Sequence, residues 1–253
     1  MGVDLQKAGI WKRMAAWLLD TVLLSVAAVG FGLLLSAILG FDGYNQELQA
    51  AYDRYETRYG VTFAVDQESY AAMTPEEKEN YDAAYAALIA DKDVLYTYNM
   101  VVNLSLLITT FGLLLGTLAL EFVVPLLLKN GQTLGKKCFS LGVVRTDTVK
   151  MNTLQLFART LLGKFTVETM IPVYVVLMLF WGTIDITGTV LLLALGLGQI
   201  ICLGVTKNNS ALHDLIAGTV VVDISSQQIF ASTEALIAHT KRIHADRAAR
   251  QEY

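Results

Sequence analysis

Four long apolar runs constrain the fold of this chain more than any other feature of its sequence. They cover residues 14–40, 99–128, 165–181 and 187–205. The first run is 27 residues long, which is more than the roughly 20 residues that cross a hydrocarbon core, and Asp20 is its one charged residue. Its basic start is also typical of a signal peptide, but the run is too long for the apolar region of one, so we expect a retained membrane helix.

The other three runs also predict membrane helices. Glu121 interrupts the second run, whose Gly112 and Gly116 either allow a neighbouring helix to approach closely or face lipid. Residues 182–186, which separate the last two runs, are too few for anything but a tight turn outside the bilayer. We therefore predict a helical hairpin, with a re-entrant pair as the alternative because Glu168 shortens the apolar part of the third run.

The composition agrees with a chain that has the bilayer as its solvent. Charged residues make up 17% of the 253 residues, against roughly 25% in soluble domains, and the mean hydropathy is +0.48. We predict an all-α membrane protein with about four transmembrane helices. The two cysteines, Cys138 and Cys202, lie in or beside segments that we place toward the cytoplasm, so neither a disulfide framework nor a CxxC metal site is expected. No cofactor is expected.

Charged residues between the runs orient the chain across the membrane. Residues 42–98 carry twelve acidic and four basic side chains, whereas residues 129–164 carry seven basic side chains and one acidic one. By the positive-inside rule the basic segment is cytoplasmic. We predict a multi-pass protein of the cell membrane with both termini in the cytoplasm and the acidic segment outside. The predicted segments are residues 1–41, 42–98, 99–128, 129–164, 165–205 and 206–253.

The acidic segment 42–98 is predicted to be a partly helical extracellular insertion. Thr74 followed by Pro75 is typical of a helix N-terminus and leads into a predicted helix over residues 78–91. The carboxylates of this segment lack the spacing of a calcium-binding loop. A solvated acidic surface is therefore preferred over a cation site.

One motif of the chain looks at first like a phosphate-binding loop. It contains Gly131, Gly135, Lys136 and Lys137. Three residues rather than four separate the two glycines, Lys137 occupies the Ser/Thr position, and a membrane helix precedes the motif. We therefore exclude nucleotide binding, and we expect no nucleic-acid partner.

Short polar segments on the cytoplasmic side predict a small collar of secondary structure. Residues 143–145 and 219–223 are β-branched runs, and we predict that they pair as strands. Asn152 is a predicted N-cap for residues 153–164, whose apolar side chains form one stripe, as in a helix that lies at the membrane interface.

The segment 206–253 combines a His-Asp motif, the second short strand and a C-terminal helix. The helix is predicted from residue 232 to residue 250, with basic residues in its second half, which suits the helix dipole. His239 and His244 are five residues apart, a poor spacing for a shared metal ion, so we expect both rings to be solvated.

Asp20, Glu121 and Glu168 are ionisable residues inside the apolar runs. Each is costly unless it is paired or faces water, so each is a candidate for function. With the predicted topology, Asp20 and Glu121 both lie roughly 12 Å from the cytoplasmic ends of their helices, within reach of each other. Arg13 is seven residues before Asp20, too far for direct contact in an ideal helix. The alternative is that Arg13 extends toward lipid headgroups and Asp20 is a structural hydrogen-bond partner.

Several motifs of this chain resemble the RDD family of bacterial membrane proteins in order and spacing. They are AGIWKRMAAWLLD at residues 8–20, GQTLGKK at 131–137, LGVV at 141–144, HD at 213–214 and AGT at 217–219. The arginine and the two aspartates that name the family correspond to Arg13, Asp20 and Asp214, and Arg159 stands where such proteins usually carry another arginine. His213, Gly131, Gly135 and Lys136 belong to the same motifs. The motifs that carry the resemblance extend from residue 8 to residue 223, and residues 42–98 are an insertion between them.

The resemblance implies a membrane family for which transport, including sodium/proton antiport, has been suggested. In a transporter, Asp20 helped by Glu121 would bind a cation or a proton, such as Na⁺ or H⁺, and Arg13 would set the affinity by charge competition. Four helices leave little room for a pathway, so a homo-oligomer is expected. The alternative is a non-transporting scaffold that recruits a membrane partner protein through its outer segment or its tail. An enzyme is not expected, because the runs contain no Ser/His pair, HExxH motif or catalytic aspartate pair.

Overall fold

The computed structural model describes residues 5–128, 130–180, 182–184, 186–206 and 208–251. Four helices are long and apolar enough to cross a membrane, and they run over Ile10–Leu39, Lys92–Leu128, Thr153–Phe180 and Ile186–Val205. The predicted all-α membrane fold with about four transmembrane helices is confirmed. The chain divides into two compact units, one of Met1–Ala28 with Leu113–Tyr253 and the other of Val29–Gly112.

The smaller unit is helical throughout most of its length. Helix α1 (Ile10–Leu39) leads into α2 (Phe41–Tyr59), α3 (Gln67–Ala72) and α4 (Pro75–Ala90), after which α5 (Lys92–Thr117) begins. Leu48, Ala51, Leu88 and Val94 form its buried core. The predicted cap of α4 is present as a capping box, in which the Thr74 hydroxyl accepts from the Glu77 amide and the Glu77 side chain accepts from the Thr74 amide.

Two of the long helices contain π-helical segments. The second candidate span consists of α5, a first π-helix (Leu118–Val123) and α6 (Val124–Leu128). The third consists of α8 (Thr153–Phe157), a second π-helix (Ala158–Met170) and α9 (Ile171–Phe180), and it is followed by α10 (Ile186–Val205). A π-helix closes its hydrogen bonds over five residues instead of four, which widens the turn.

The predicted interfacial helix over residues 153–164 is not a separate element. Asn152 begins it with a capping box to Gln155, as expected, but the helix then continues without a break through the second π-helix into α9. The third candidate span therefore begins at Thr153 and not at residue 165. Its predicted end at Trp181 lies outside the described residues, as does Asp185 in the following turn.

The two predicted strands pair, which confirms the small sheet. Strand β1 (Leu141–Arg145) is antiparallel to β2 (Thr219–Asp223), with Leu141 opposite Asp223 and Arg145 opposite Thr219. The N-terminal segment joins the outer edge of β2, where the Ala8 amide donates to the Val221 carbonyl at 3.3 Å. Short helices precede each strand, α7 (Leu134–Cys138) before β1 and α11 (Leu212–Ala217) before β2.

The predicted close approach at Gly116 is present, whereas the predicted solvation of His239 is incomplete. Gly116 packs against α1, because a Cβ atom on it would lie 3.2 Å from the Ala28 amide nitrogen, so close helix approach is the correct interpretation of this glycine. The C-terminal helix α12 (Thr233–Gln251) is present, but His239 is not a purely solvated residue. Its ring centroid lies 5.1 Å from that of Phe230, and its Nε2 lies 3.3 Å from Gln228 Oε1.

Candidate functional site

Asp20 is a buried helix cap in the larger unit. Its side chain lies on α1 and is 7% exposed. One carboxylate oxygen accepts from the Gly135 amide at 2.7 Å, and the other accepts from the Thr133 hydroxyl. The Lys136 ammonium lies 3.5 Å from the same carboxylate. Asp20 therefore binds the N-terminus of α7, where free amide groups and the helix dipole favour a negative charge.

Gly135 makes this contact possible. A Cβ atom at this position would overlap the Ala16 carbonyl oxygen and would lie 2.8 Å from Asp20 Oδ1. The motif that looks like a phosphate-binding loop thus binds a carboxylate of its own chain through the Gly135 amide and the Thr133 hydroxyl. Gly131 serves a different purpose, since its φ of +62° places it in the left-handed region that glycine adopts without strain.

The Lys136 ammonium lies in the electrostatic field of two buried carboxylates, Asp20 and Glu121. Its ammonium donates to the Thr133 hydroxyl at 3.1 Å and lies beside Asp20. Burial and the nearby Lys164 ammonium lower the pKa of Lys136 to about 8, although the charges of Glu121 and Asp20 oppose this shift. The positive charge of Lys136 therefore acts on both Asp20 and Glu121.

Glu121 lies where the two π-helices contact each other. It is 4% exposed, and its Oε1 accepts from the Lys164 ammonium at 2.6 Å. The Thr160 hydroxyl of the second π-helix donates to the Glu121 carbonyl at 3.0 Å. Two buried oxygen atoms have no hydrogen-bond partner among the described residues, namely Glu121 Oε2 and Thr117 Oγ1. Thr117 lies four residues before Glu121 on the same continuous helix. Short π-helical segments occur frequently at functional sites.

A second buried cluster joins Arg13, Arg159 and Asp214. Asp214 is fully buried, and its Oδ1 lies 3.0 Å from Arg159 Nε while its Oδ2 lies 3.5 Å from Arg13 Nη2. Arg13 also donates to the Asn209 carbonyl at 2.5 Å. Burial would raise the pKa of Asp214, but the charges of Arg159, His213 and Arg13 outweigh it and hold that pKa well below its usual range.

His213 and Glu168 extend this cluster toward the other helices. His213 Nδ1 lies 2.8 Å from both carboxylate oxygens of Glu168, and the His213 amide donates to Glu168 Oε1 at 3.1 Å. Gln199 on α10 accepts from the Leu212 amide at 3.3 Å. The short helix α11 is thus held at its first turn by side chains from the third and fourth candidate spans. Burial lowers the pKa of His213 despite the neighbouring carboxylates.

The predicted site residues fall into two clusters and not into one. Arg13 pairs with Asp214, so it does not compete for Asp20, whose charged partner is Lys136. Asp20 and Glu121 both interact electrostatically with the Lys136 ammonium, which lies 3.5 Å from Asp20. In the part of the chain that the structure describes, no group of three or more His, Cys, Asp or Glu side chains is placed to hold a metal ion.

Sequence reasoning missed Thr117, Thr133 and Lys164. Thr133 carried a usable signal, because a threonine before a short polar helix is a typical N-cap. Thr117 and Lys164 carried none, since their role depends on two π-helices that bring residues of different spans together. Apolar periodicity does not distinguish a π-helix from an α-helix inside a membrane span.

The fold and the buried clusters define a class of protein. It is a helical membrane protein in which ion pairs and helix caps attach two short polar helices to the candidate membrane spans. The chain belongs to the RDD family, whose model matches residues 7–218. The matched region contains Arg13, Asp20 and Asp214, which confirms the resemblance. Comparison with curated proteins and with solved structures finds no match.

Proposed function

We propose that this RDD protein transports a small cation by exchange with protons, and that Glu121 is its ion-binding carboxylate. The observation that supports this proposal is the pair of buried oxygen atoms, Glu121 Oε2 and Thr117 Oγ1, which have no hydrogen-bond partner among the described residues. The sequence alone favours Asp20 for this role, because Asp20 is the one charged residue of the first apolar run. Asp20 is instead fully engaged as the cap of α7.

Unpaired buried oxygens are the chemical basis of the proposal. A buried acceptor without a partner costs about 1–3 kcal/mol, and more when it is charged, so a site of this kind gains from an occupant. Hydroxyl and carboxylate oxygens are ligands that hard cations prefer. A carboxylate inside a membrane span is by default a candidate for ion binding or proton transfer.

The surrounding charges favour exchange over simple binding. Asp20 and Glu121 carry two negative charges, and Lys136 and Lys164 carry two positive charges when all four groups are ionised. Because both carboxylates are already ionised, adding a monovalent cation to this balanced set leaves a buried net charge unless the ammonium group of Lys136 or Lys164 releases a proton. One cation for one proton restores the balance, whereas a divalent cation requires the loss of two.

The proposal includes the topology and the assembly expected from the sequence. Both termini and the basic segment 129–164 would lie in the cytoplasm of a bacterial cell, with the acidic segment 42–98 outside. The exchange site would then be nearer to the cytoplasmic surface. Because four spans leave little room for a two-sided pathway, we propose a homo-oligomer.

A non-transporting scaffold is the second candidate function, and the Arg13, Asp214 and Arg159 cluster favours it. This cluster fastens α11 to two spans with buried ion pairs, an arrangement that suits a rigid platform. In that case the acidic segment or the tail would recruit a membrane partner protein.

Proteoliposomes with a pH-sensitive dye inside test the transport proposal. Imposing a gradient of Na⁺ or K⁺ should move protons through wild-type protein. Thr117→Val keeps the shape of the side chain but removes its oxygen, so it should raise KM for the cation about tenfold, equivalent to about 1.4 kcal/mol of binding. Thr97→Val is the matched control, because Thr97 is 3% exposed on the same helix but lies far from Glu121 in sequence.

Absence of cation-dependent proton movement by folded wild-type protein would refute the proposal. An unchanged KM in Thr117→Val would remove Thr117 from the site and with it the observation on which the proposal depends.

A further inference from the structure

The imidazole of His213 lies between two carboxylates that belong to different parts of the fold. Its Nδ1 contacts Glu168 of the second π-helix at 2.8 Å, and its Nε2 lies 3.7 Å from Oδ1 of Asp214 on its own helix, α11. Arg159 of the second π-helix and Arg13 of α1 are the cations that face Asp214. From α10, the neutral side chain of Gln199 binds the first turn of α11.

The neutral ring has a defined arrangement of donors. An ionised Glu168 can only accept hydrogen bonds, so neutral His213 carries its proton on Nδ1. Its Nε2 then presents a lone pair toward Asp214 Oδ1. This oxygen is meanwhile bound by Arg159 Nε at 3.0 Å and by the Thr219 hydroxyl at 3.2 Å.

We propose that His213 is a proton-operated latch that controls how α11 is attached to the second π-helix. A proton taken from solvent onto Nε2 turns this nitrogen into a donor toward Asp214 Oδ1. His213 then competes with Arg159 for the same oxygen. The attachment of α11 through the Arg159 and Asp214 ion pair weakens as a result.

The net charge of the cluster changes when His213 is protonated. Arg13 and Arg159 compensate Asp214 and Glu168, so a protonated His213 adds an uncompensated positive charge to a buried cluster. Arg159 Nη2 already has no hydrogen-bond partner among the described residues. If Arg159 also loses part of its contact with Asp214, its guanidinium is a buried charge without adequate compensation, which destabilises the cluster.

The close packing of α11 against the second π-helix means that a change in the partners of His213 displaces α11. A Cβ atom on Gly163 would lie 2.5 Å from His213 Cβ and 2.7 Å from His213 Cα, so α11 packs against the second π-helix at His213 with no room for even a methyl group. Because α11 leads through Gly218 directly into β2, a displacement of α11 also reaches the sheet. The latch operates in the acidic range, because burial opposes protonation of the ring.

Nuclear magnetic resonance of protein labelled with ¹⁵N in its histidines tests the protonation step. The chain has three histidines, and His239→Gln and His244→Gln assign their signals by elimination. In purified full-length protein, the His213 ring should hold its proton on Nδ1 at pH 7.5. It should become doubly protonated below the roughly 6.5 of an ordinary histidine. A ring that stays neutral down to pH 4.5 would overturn the proposal.

Hydrogen–deuterium exchange tests the structural consequence. Corrected for the intrinsic effect of pH, amide protection over 212–217 should fall at least about fivefold between pH 7.5 and 4.5, a loss that indicates local opening. Protection of α12 should change less. The loss should disappear in His213→Gln, which cannot be protonated, and persist in His244→Gln, whose residue is exposed.

Two results would contradict the latch. One is unchanged protection of residues 212–217 in wild-type protein while His213 titrates. The other is the same pH dependence in His213→Gln. If His213→Gln fails to fold, the coincidence of the ring titration and the loss of protection in wild-type protein decides the question. Neither measurement involves transport, so the latch can stand or fall independently of the proposed function.

Discussion

At the scale of single residues, the three family residues act as anchors. Asp20 caps α7, whereas Arg13 and Asp214 pair with each other. The spacing along α1 correctly predicted that Arg13 and Asp20 do not touch. It could not reveal their partners, because Thr133 and Asp214 come from distant parts of the sequence. The depth of a carboxylate in a span can thus be predicted from sequence, but its neighbours depend on the packing of other elements.

Asp20→Asn tests the anchoring role. Asparagine retains one oxygen for the Gly135 amide but loses the charge that compensates Lys136, a buried cation. Removing one member of a buried ion pair costs about 3–5 kcal/mol, so Tm in detergent should fall by several degrees and expression should drop. Asp42→Asn is the control because Asp42 is exposed. A normal Tm in Asp20→Asn would show that the contact with Lys136 is not stabilising.

At the scale of elements, two short helices are docked in the same way. Asp20 of the first span accepts from the Gly135 amide of α7, and Glu168 of the third span accepts from the His213 amide of α11. In both cases a carboxylate from a span compensates the positive end of a helix. Sequence predicted the elements that local chemistry determines, such as the Asn152 cap and the paired strands. The π-helices escaped prediction, because tertiary contacts determine where a span widens.

Gly135→Ala tests how closely α7 must approach α1. The added methyl group would overlap the Ala16 carbonyl and crowd the Asp20 carboxylate, so α7 must move away. We expect a loss of about 1–3 kcal/mol from overpacking, measured as a lower Tm. In the matched control Gly196→Ala, the new Cβ atom meets nothing within 4 Å, so Tm should be unchanged or slightly higher. Equal effects of the two changes would contradict the proposed docking.

At the scale of the whole molecule, function depends on which side of the membrane each segment occupies. The family and the four candidate spans support a membrane location. The proposed orientation follows from the contrast between the acidic segment 42–98 and the basic segment 129–164. It places the anchored helices α7 and α11 at the cytoplasmic end of the spans.

Cysteine labelling in intact cells tests this orientation. Cys138 and Cys202 are free and are first replaced by serine. A cysteine placed at Asn80, an exposed residue of α4, should react with an impermeant thiol reagent. A cysteine at Lys150, which is exposed in the basic segment, should react only after the cells are opened. The reverse pattern would invert the topology.

Glu121, and not Asp20, is the carboxylate that we propose binds the transported ion. The double variant Glu121→Gln with Lys164→Gln removes both charges of one buried pair, so no charge is left uncompensated. Removing both members of a buried ion pair costs less than removing one, because no buried charge is left without a partner. The decisive measurement is cation-dependent proton flux of this variant in proteoliposomes. We predict that flux is lost while Tm stays within a few degrees of the wild-type value, and flux at the wild-type rate from the folded variant would contradict the claim.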